Sequence, residues 1–164
     1  MMPSSRMPGH LIRRLHQIST QLFTQRVQEA GSDLTSVQFA ALDALRHAPG
    51  IDQARLAEAI AKDRATIGAV VDRLEQKGLV ARVENDKDRR ARILRLTASG
   101  ERTLRTLRPV VESVQKEILS GLSSTECSQF VQLAAKIIAQ ANDIAGLPDA
   151  NAEQLPRRAQ AAKK

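Results

Sequence analysis

The stretch QARLAEAIAKDRATIGAVVDRLEQKGLVARVENDKDRRARILRL, residues 53–96, decides the fold. Leu56 and Ile60, then Ile67, Val71 and Leu74, recur at helical spacing. Asp52 and Asp63 supply caps for two short helices, 53–60 and 64–77, joined by Ala61-Lys62-Asp63. Gly78 suits a left-handed position just past the second helix, and Leu79 can pack back onto it. The period then switches to that of strands, at 80–84 and 92–96. Residues 85–91 between them are polar apart from Ala91 and read as a long charged hairpin tip. A helix-turn-helix followed by a two-stranded hairpin is a winged helix.

Outward from that segment the chain is helical. Leu11, Leu15, Ile18 and Leu22 place a first helix over about 10–30, after a loose lead-in at 1–9. Thr35 with Gln38 is a capping box for a second helix, which puts Val37, Ala41 and Leu45 on one face and ends at Ala48-Pro49-Gly50. Thr97 caps a fifth helix striped with Leu104, Leu107, Val111, Val114 and Ile118, in which Pro109 predicts a kink or tilt. Ser123 with Glu126 is a second capping box, opening a sixth helix with Phe130, Leu133, Ile137 and Ile144 inward. After Gly146-Leu147-Pro148 the chain is polar and Ala-rich, and 147–164 reads as a disordered basic tail. The expected organisation is a winged helix-turn-helix at 35–97 and a helical region made of 10–34 and 98–146. The first and last two helices have no other domain to cover them, so a dimerisation interface is the better reading of their apolar stripes.

The 164 residues suffice for one domain with a core of its own, and 2% aromatics with no Trp or Tyr leave Leu, Ile, Val and Ala to fill it. Basic residues exceed acidic by 25 to 18, the balance expected of a chain that meets a polyanion. No apolar run is long enough to span a bilayer, and the first eight residues lack a signal-peptide core. The single Cys127 excludes an internal disulfide and fits a reducing cytoplasm. His10, His16, His47 and Cys127 lack metal-ligand spacing, and no cofactor motif is present.

The second short helix fits a DNA major groove, ~12 Å wide. Its outward face carries Arg64, Ala65, Thr66, Gly68, Ala69 and Arg73. Arg64 stands at the end where base edges are usually read, or is an exposed first-turn residue; Thr66 suits a phosphate or a thymine methyl. Gly68 in mid-helix costs roughly 1 kcal/mol against Ala, which a close approach to the backbone would explain. Arg73 either meets DNA or pairs with Asp72, Glu75 or a wing carboxylate. At the hairpin, Lys87, Arg89, Arg90 and Arg92 suit a minor groove, with Asp88 and Asp86 bracing an arginine rather than facing phosphate. The alternative for that run is a solvated turn.

Several pieces, in this order, resemble the MarR (multiple antibiotic resistance regulator) family of bacterial transcription regulators. They are Leu34–Phe39, Gln53–Ala57, Val71–Val80, Asp86–Arg90 and Leu96–Gly100, and the resemblance spans about residues 10–145. It implies an obligate homodimer joined through the first and last two helices and a pseudo-palindromic operator, usually under repression. It also implies release by a small, often aromatic, carboxylate bound between the dimer helices and the winged domain. Pro8–Ile18 is similar to regulators of aromatic-acid catabolism, those of nicotinate degradation included. For such an effector the candidate residues are Arg13 and Arg14 as carboxylate partners, His16 as a donor to a ring substituent, and Phe39 as a pocket wall. The alternatives are surface or dimer-interface roles for the α1 residues and plain core for Phe39 and Phe23. Two departures stand out. Ala65, Gly68 and Ala69 replace the Ser and Thr common on the reading helix, and Cys127 lies far from the first helix, where oxidant sensors carry theirs.

The expected function is a homodimeric repressor with half-sites one helical turn apart, ~34–36 Å. An architectural DNA-binding protein without an effector is the alternative. An enzyme lacks support because no nucleophile–base set or phosphate loop is present, and membrane attachment would rest on the tail alone.

Overall fold

The computed structural model describes residues 3–60, 64–85 and 88–145. A 3-10 turn at Ser4–Arg6 precedes α1 (Pro8–Glu29), then α2 (Ser36–His47), α3 (Gln53–Ala59), α4 (Arg64–Gln76), β1 (Val80–Asn85), β2 (Asp88–Leu96), α5 (Ala98–Ile118) and α6 (Ser124–Ala145). The architecture is mostly α with a two-stranded antiparallel sheet, as the sequence predicts. Pro8 and Gly9, expected in the lead-in, belong to α1; Pro8 fits the first turn because no helical acceptor needs its missing N–H.

Local chemistry sets the helix starts. The Thr35 hydroxyl accepts the Gln38 N–H at 3.2 Å, and the Gln38 amide oxygen accepts the Thr35 N–H at 3.1 Å. Ser123 and Glu126 repeat the device at α6, and the backbone N–H of Ser123 holds the Glu126 carboxyl below its ordinary range. Asp52 caps α3 by accepting the Arg55 N–H at 2.8 Å. The expected cap at Asp63 lies outside the described residues.

One continuous core joins the long helices to the winged segment. Phe23 and Val27 of α1 and Leu104, Leu107 and Val114 of α5 pack with Ala41, Leu42 and Leu45 of α2, Leu56 of α3, Ile67, Val71 and Leu74 of α4, and Leu94 of β2. Ion pairs brace its rim: Arg26 of α1 reaches Glu117 of α5 through two hydrogen bonds, and Arg108 of α5 pairs with Asp43 of α2.

The hairpin differs from expectation. β1 continues to Asn85 and β2 begins at Asp88, so Asp88, Arg89 and Arg90 belong to a strand and not to the tip. Regular pairing runs from Val80 opposite Leu96 to Glu84 opposite Arg92; the next pair is Asn85 with Asp88. Residues 89–91 therefore form a bulge, which bends and twists the strand that carries it. The other edge of β2 is also covered: the Leu94 N–H donates to the Ile51 carbonyl, and the Gly50 N–H to the Leu94 carbonyl.

A second correction concerns α6. Phe130, Leu133 and Ile137, expected inward, remain 38%, 61% and 62% exposed, because no layer of the described residues lies over them. Ile144 has its side chain outside the described residues. Leu11, Ile12, Leu15 and Ile18 of α1 are similarly bare.

Candidate nucleic-acid interface

α4 divides cleanly into two faces. Ile67, Val71 and Leu74 are fully buried, whereas Ala65, Thr66, Ala69, Asp72 and Arg73 are exposed. Among the described residues, the exposed side chains at the N-terminal half are small, which lets the helix backbone approach a partner closely there. Gly68 is half-buried, and its reason is intramolecular: a Cβ there would stand 3.3 Å from the Gln53 amide nitrogen of α3. The close approach expected from the sequence is thus made by a neighbouring helix.

Arg73 makes no ion pair among the described residues, although its charge helps hold the Asp33 carboxyl below its ordinary range, after the larger effect of Lys77. The carboxylates expected to compete for Arg73, Asp72 and Glu75, are instead both taken by Arg82 of β1. Arg92 is exposed on β2, opposite Glu84. The backbone of Arg64 opens α4 and that of Asp88–Arg90 opens β2. The side chains of those four, and all of Asp86 and Lys87, lie outside the described residues.

α4 is held at its C-terminal end by α5. Gly78 takes the left-handed conformation with φ of 69°. Its carbonyl accepts the Thr97 hydroxyl proton at 2.6 Å, and the Leu79 carbonyl accepts the Thr97 N–H at 3.1 Å. The same hydroxyl accepts the Gly100 N–H and so caps α5. A Cβ on Gly100 would fall 2.1 Å from the Leu79 carbonyl oxygen, so only glycine allows this seat. Sequence reasoning missed Arg82 and Gly100; the visible signals were two acidic residues one helical turn apart ahead of a strand arginine, and a glycine three residues after a capping threonine.

The four candidate effector residues do not converge on one described cavity. His16 lines an open groove of about 580 Å³ along α1 with Gln17, Thr20, Thr24 and Gln28. Arg13 bonds His10 and Arg14 bonds Gln17, both in solvent. Phe39 packs at the core edge, its ring edge-on to Phe23 at 6.1 Å. One turn further along α2, Asp43 holds Arg108, whose Nε is buried without a partner among the described residues.

The MarR family model matches residues 32–91, the helix-turn-helix and wing. The transcriptional regulator HosA of Escherichia coli O157:H7 is 40% identical over 129 residues, covering 77% of this chain and 95% of HosA. The HTH-type transcriptional repressor NicR of Pseudomonas putida is 37% identical over 131 residues, 79% of this chain and 81% of NicR. Among solved structures, PcaV of Streptomyces coelicolor with its natural ligand superposes with a TM-score of 0.77 at 35% identity, over 86% of this chain and 98% of PcaV. BpsR of Bordetella bronchiseptica, whose DNA binding is regulated by 6-hydroxynicotinic acid, gives 0.78 at 31%, over 84% and 96%. The repressor CouR bound to a 23-mer DNA duplex gives 0.75 at 28%, over 81% and 93%. Identity of 40% across most of both chains, on a winged helix with this topology, places the chain in the MarR family of DNA-binding transcriptional regulators.

Proposed function

We propose that the protein is a homodimeric repressor that reads a pseudo-palindromic operator and leaves it when a small aromatic acid binds. The observation that carries DNA reading is the exposed, small-residue face of α4 beside the basic wing, in a fold shared with a repressor solved on a duplex. α4 enters the major groove, Thr66 and Arg73 meeting bases or phosphates and Ala65 and Ala69 letting the helix sit deep. Arg64 extends that reading at the helix start. Lys87, Arg89, Arg90 and Arg92 follow the flanking minor groove, where negative potential draws guanidinium groups, and Asp88 orients them.

Support for the dimer comes from the bare apolar surface. The crevice between α1 and α6, about 350 Å³, is lined by Ile12, Leu15, Phe130, Leu133 and Ile137. Monomers rarely expose so continuous an apolar face, and a second copy would cover it by two-fold symmetry. The effector site lies between α1, α2 and α5, near Phe39 and the groove at His16. Arg13 and Arg14 reach it only once the partner protomer closes over α1. The precedents are the ligands of PcaV and BpsR.

A duplex selected by the protein from a random library, then used in gel shifts against its scrambled counterpart, tests the reading. Preference for the selected duplex, abolished by titrating 6-hydroxynicotinic acid or another aromatic acid, is the expected result. Equal affinity for both duplexes defeats the repressor; intact binding at saturating concentrations of every aromatic acid tried defeats the effector. Arg89→Ala with Arg90→Ala is expected to weaken operator binding about tenfold or more while the dimer persists.

A further inference from the structure

We propose that Arg82 is a positioning residue: it locks the wing to the reading helix and thereby makes the protein sensitive to base pairs flanking each half-site. The inference rests on the DNA-reading function above. Arg82 projects from β1 with its side chain only 20% exposed. One guanidinium nitrogen donates to Glu75 and the other to Asp72, residues one turn apart on α4. The second nitrogen also donates to the Gln53 amide oxygen of α3 at 3.4 Å. Gln53 can lie there because Gly68 presents no Cβ beneath it. A single cation therefore ties three elements, α3, α4 and the wing.

A charge placed this way is not available to phosphate. Composition counts Arg82 among the basic residues of the DNA-binding segment, yet two carboxylates neutralise it. Its use is geometric. The regular ladder ends two pairs beyond Arg82, at Glu84 opposite Arg92, and the bulge at 89–91 follows. The anchor thus sits at the root of the wing, on the regular part of the ladder before the bulge. With the root fixed, the distance between helix and wing contacts is fixed. A flanking sequence whose minor groove is misplaced or too wide is then rejected instead of being followed. With the root free, the wing can adapt to any flank, and discrimination there falls. A bidentate, partly buried guanidinium suits the task where a flexible ammonium does not.

The test uses the full-length protein and the duplex that wild type selects from a random library. Hydroxyl-radical protection maps the flanks, and three duplexes are compared: the selected one, one with altered flanks and one with altered half-site centres. Wild type is expected to lose about tenfold or more on either altered duplex. Arg82→Met should keep the loss at the centres but bind the selected and altered-flank duplexes within about twofold, with weakened flank protection; Arg82→Lys should fall between. A merely destabilising change would lower all three affinities together. Glu75→Gln, at an exposed position, repeats the experiment should Arg82→Met not fold. Undiminished flank discrimination in a folded variant overturns the proposal. If wild type selects no duplex at all, the DNA-reading function itself fails and takes this inference with it.

Discussion

Replacing Gly100 by alanine sets two effects of opposite sign against each other. Gly100 lies in the first turn of α5, and intrinsic helix propensity alone predicts that Ala stabilises by roughly 1 kcal/mol. The new Cβ would lie 2.1 Å from the Leu79 carbonyl oxygen and 3.1 Å from its carbon, and both are backbone atoms. Relief requires α5 to retreat from the α4–β1 turn by about 1 Å, the kind of overpacking that costs ~1–3 kcal/mol. The retreat also stretches two hydrogen bonds between Thr97 and the carbonyls of Gly78 and Leu79. Each contributes about 1 kcal/mol net. The losses exceed the propensity gain, leaving a net destabilisation of about 2–4 kcal/mol. For a chain of this size that lowers the thermal midpoint by roughly 5–15 °C, measured by far-UV circular dichroism. An unchanged or raised midpoint would refute the reasoning, because propensity would then have outweighed the contact.

Three further outcomes are expected. Ile137→Glu should leave helicity intact, since the side chain is 62% exposed in the single chain, yet convert the dimer to monomer in sedimentation at micromolar concentration; a persistent dimer would remove α6 from the interface. The carboxyls of Glu117 and Asp33 are held below their ordinary range by Arg26 and Lys77, so the stability they add is full above the ordinary values, is lost as pH falls through the lowered ones, and should make the melting temperature drop below about pH 4.5. Glu117→Gln should flatten that acid limb, and an identical slope would contradict it. On the proposed function, a spin label at Gln76 should report several ångströms of change between the two copies of α4 when an aromatic acid that releases the duplex is added, whereas labels at Gln76 and Gln115 of one protomer in a mixed dimer should hold their separation; comparable changes in both would show that the protomer deforms internally.

What the sequence made legible was local. Both capping boxes, the cap at Asp52 and the left-handed glycines at 50 and 78 are short-range devices, and each stands where the spacing put it. The apolar stripes of α4 and α5 were equally readable, because helical period fixes which positions face inward. The failures are non-local. A polar run at 85–91 looks like a loop until cross-strand pairing extends the ladder to Asp88 around a bulge. Gly68 announces a close approach without naming Gln53, which lies 15 positions earlier on another helix. Arg82 is one of many basic residues in its region, and only folding sets it between Asp72 and Glu75. The face of α6 reads as inward by period alone, and nothing in the period says that the described part of the chain supplies no layer to cover it.

The joints of the fold bear on how a signal could travel. Arg26–Glu117 binds α1 to α5, Arg108–Asp43 binds α5 to α2, Asp33–Lys77 ties the α1–α2 loop to the end of α4, and Thr97 with Gly100 seats α5 on the turn after α4. The first joins two long helices to each other, the other three connect the winged segment to them, and Arg82 closes that segment upon itself. The winged segment therefore moves with α5 as one piece. α5 has 21 residues and so spans about 31 Å. Tilting such a lever by about 5° at the dimer end displaces the reading end by about 3 Å, more than the spread of donor–acceptor distances a hydrogen bond to a base tolerates. An effector need only bind the tilted dimer more tightly than the DNA-competent one, since equal affinity shifts nothing. On the proposed function, stiffness within the protomer lets so small a rearrangement at the dimer end spoil the spacing of two half-sites, and a softer joint at Gly100, where α5 is seated on the turn after α4, would absorb the signal before it reached the DNA.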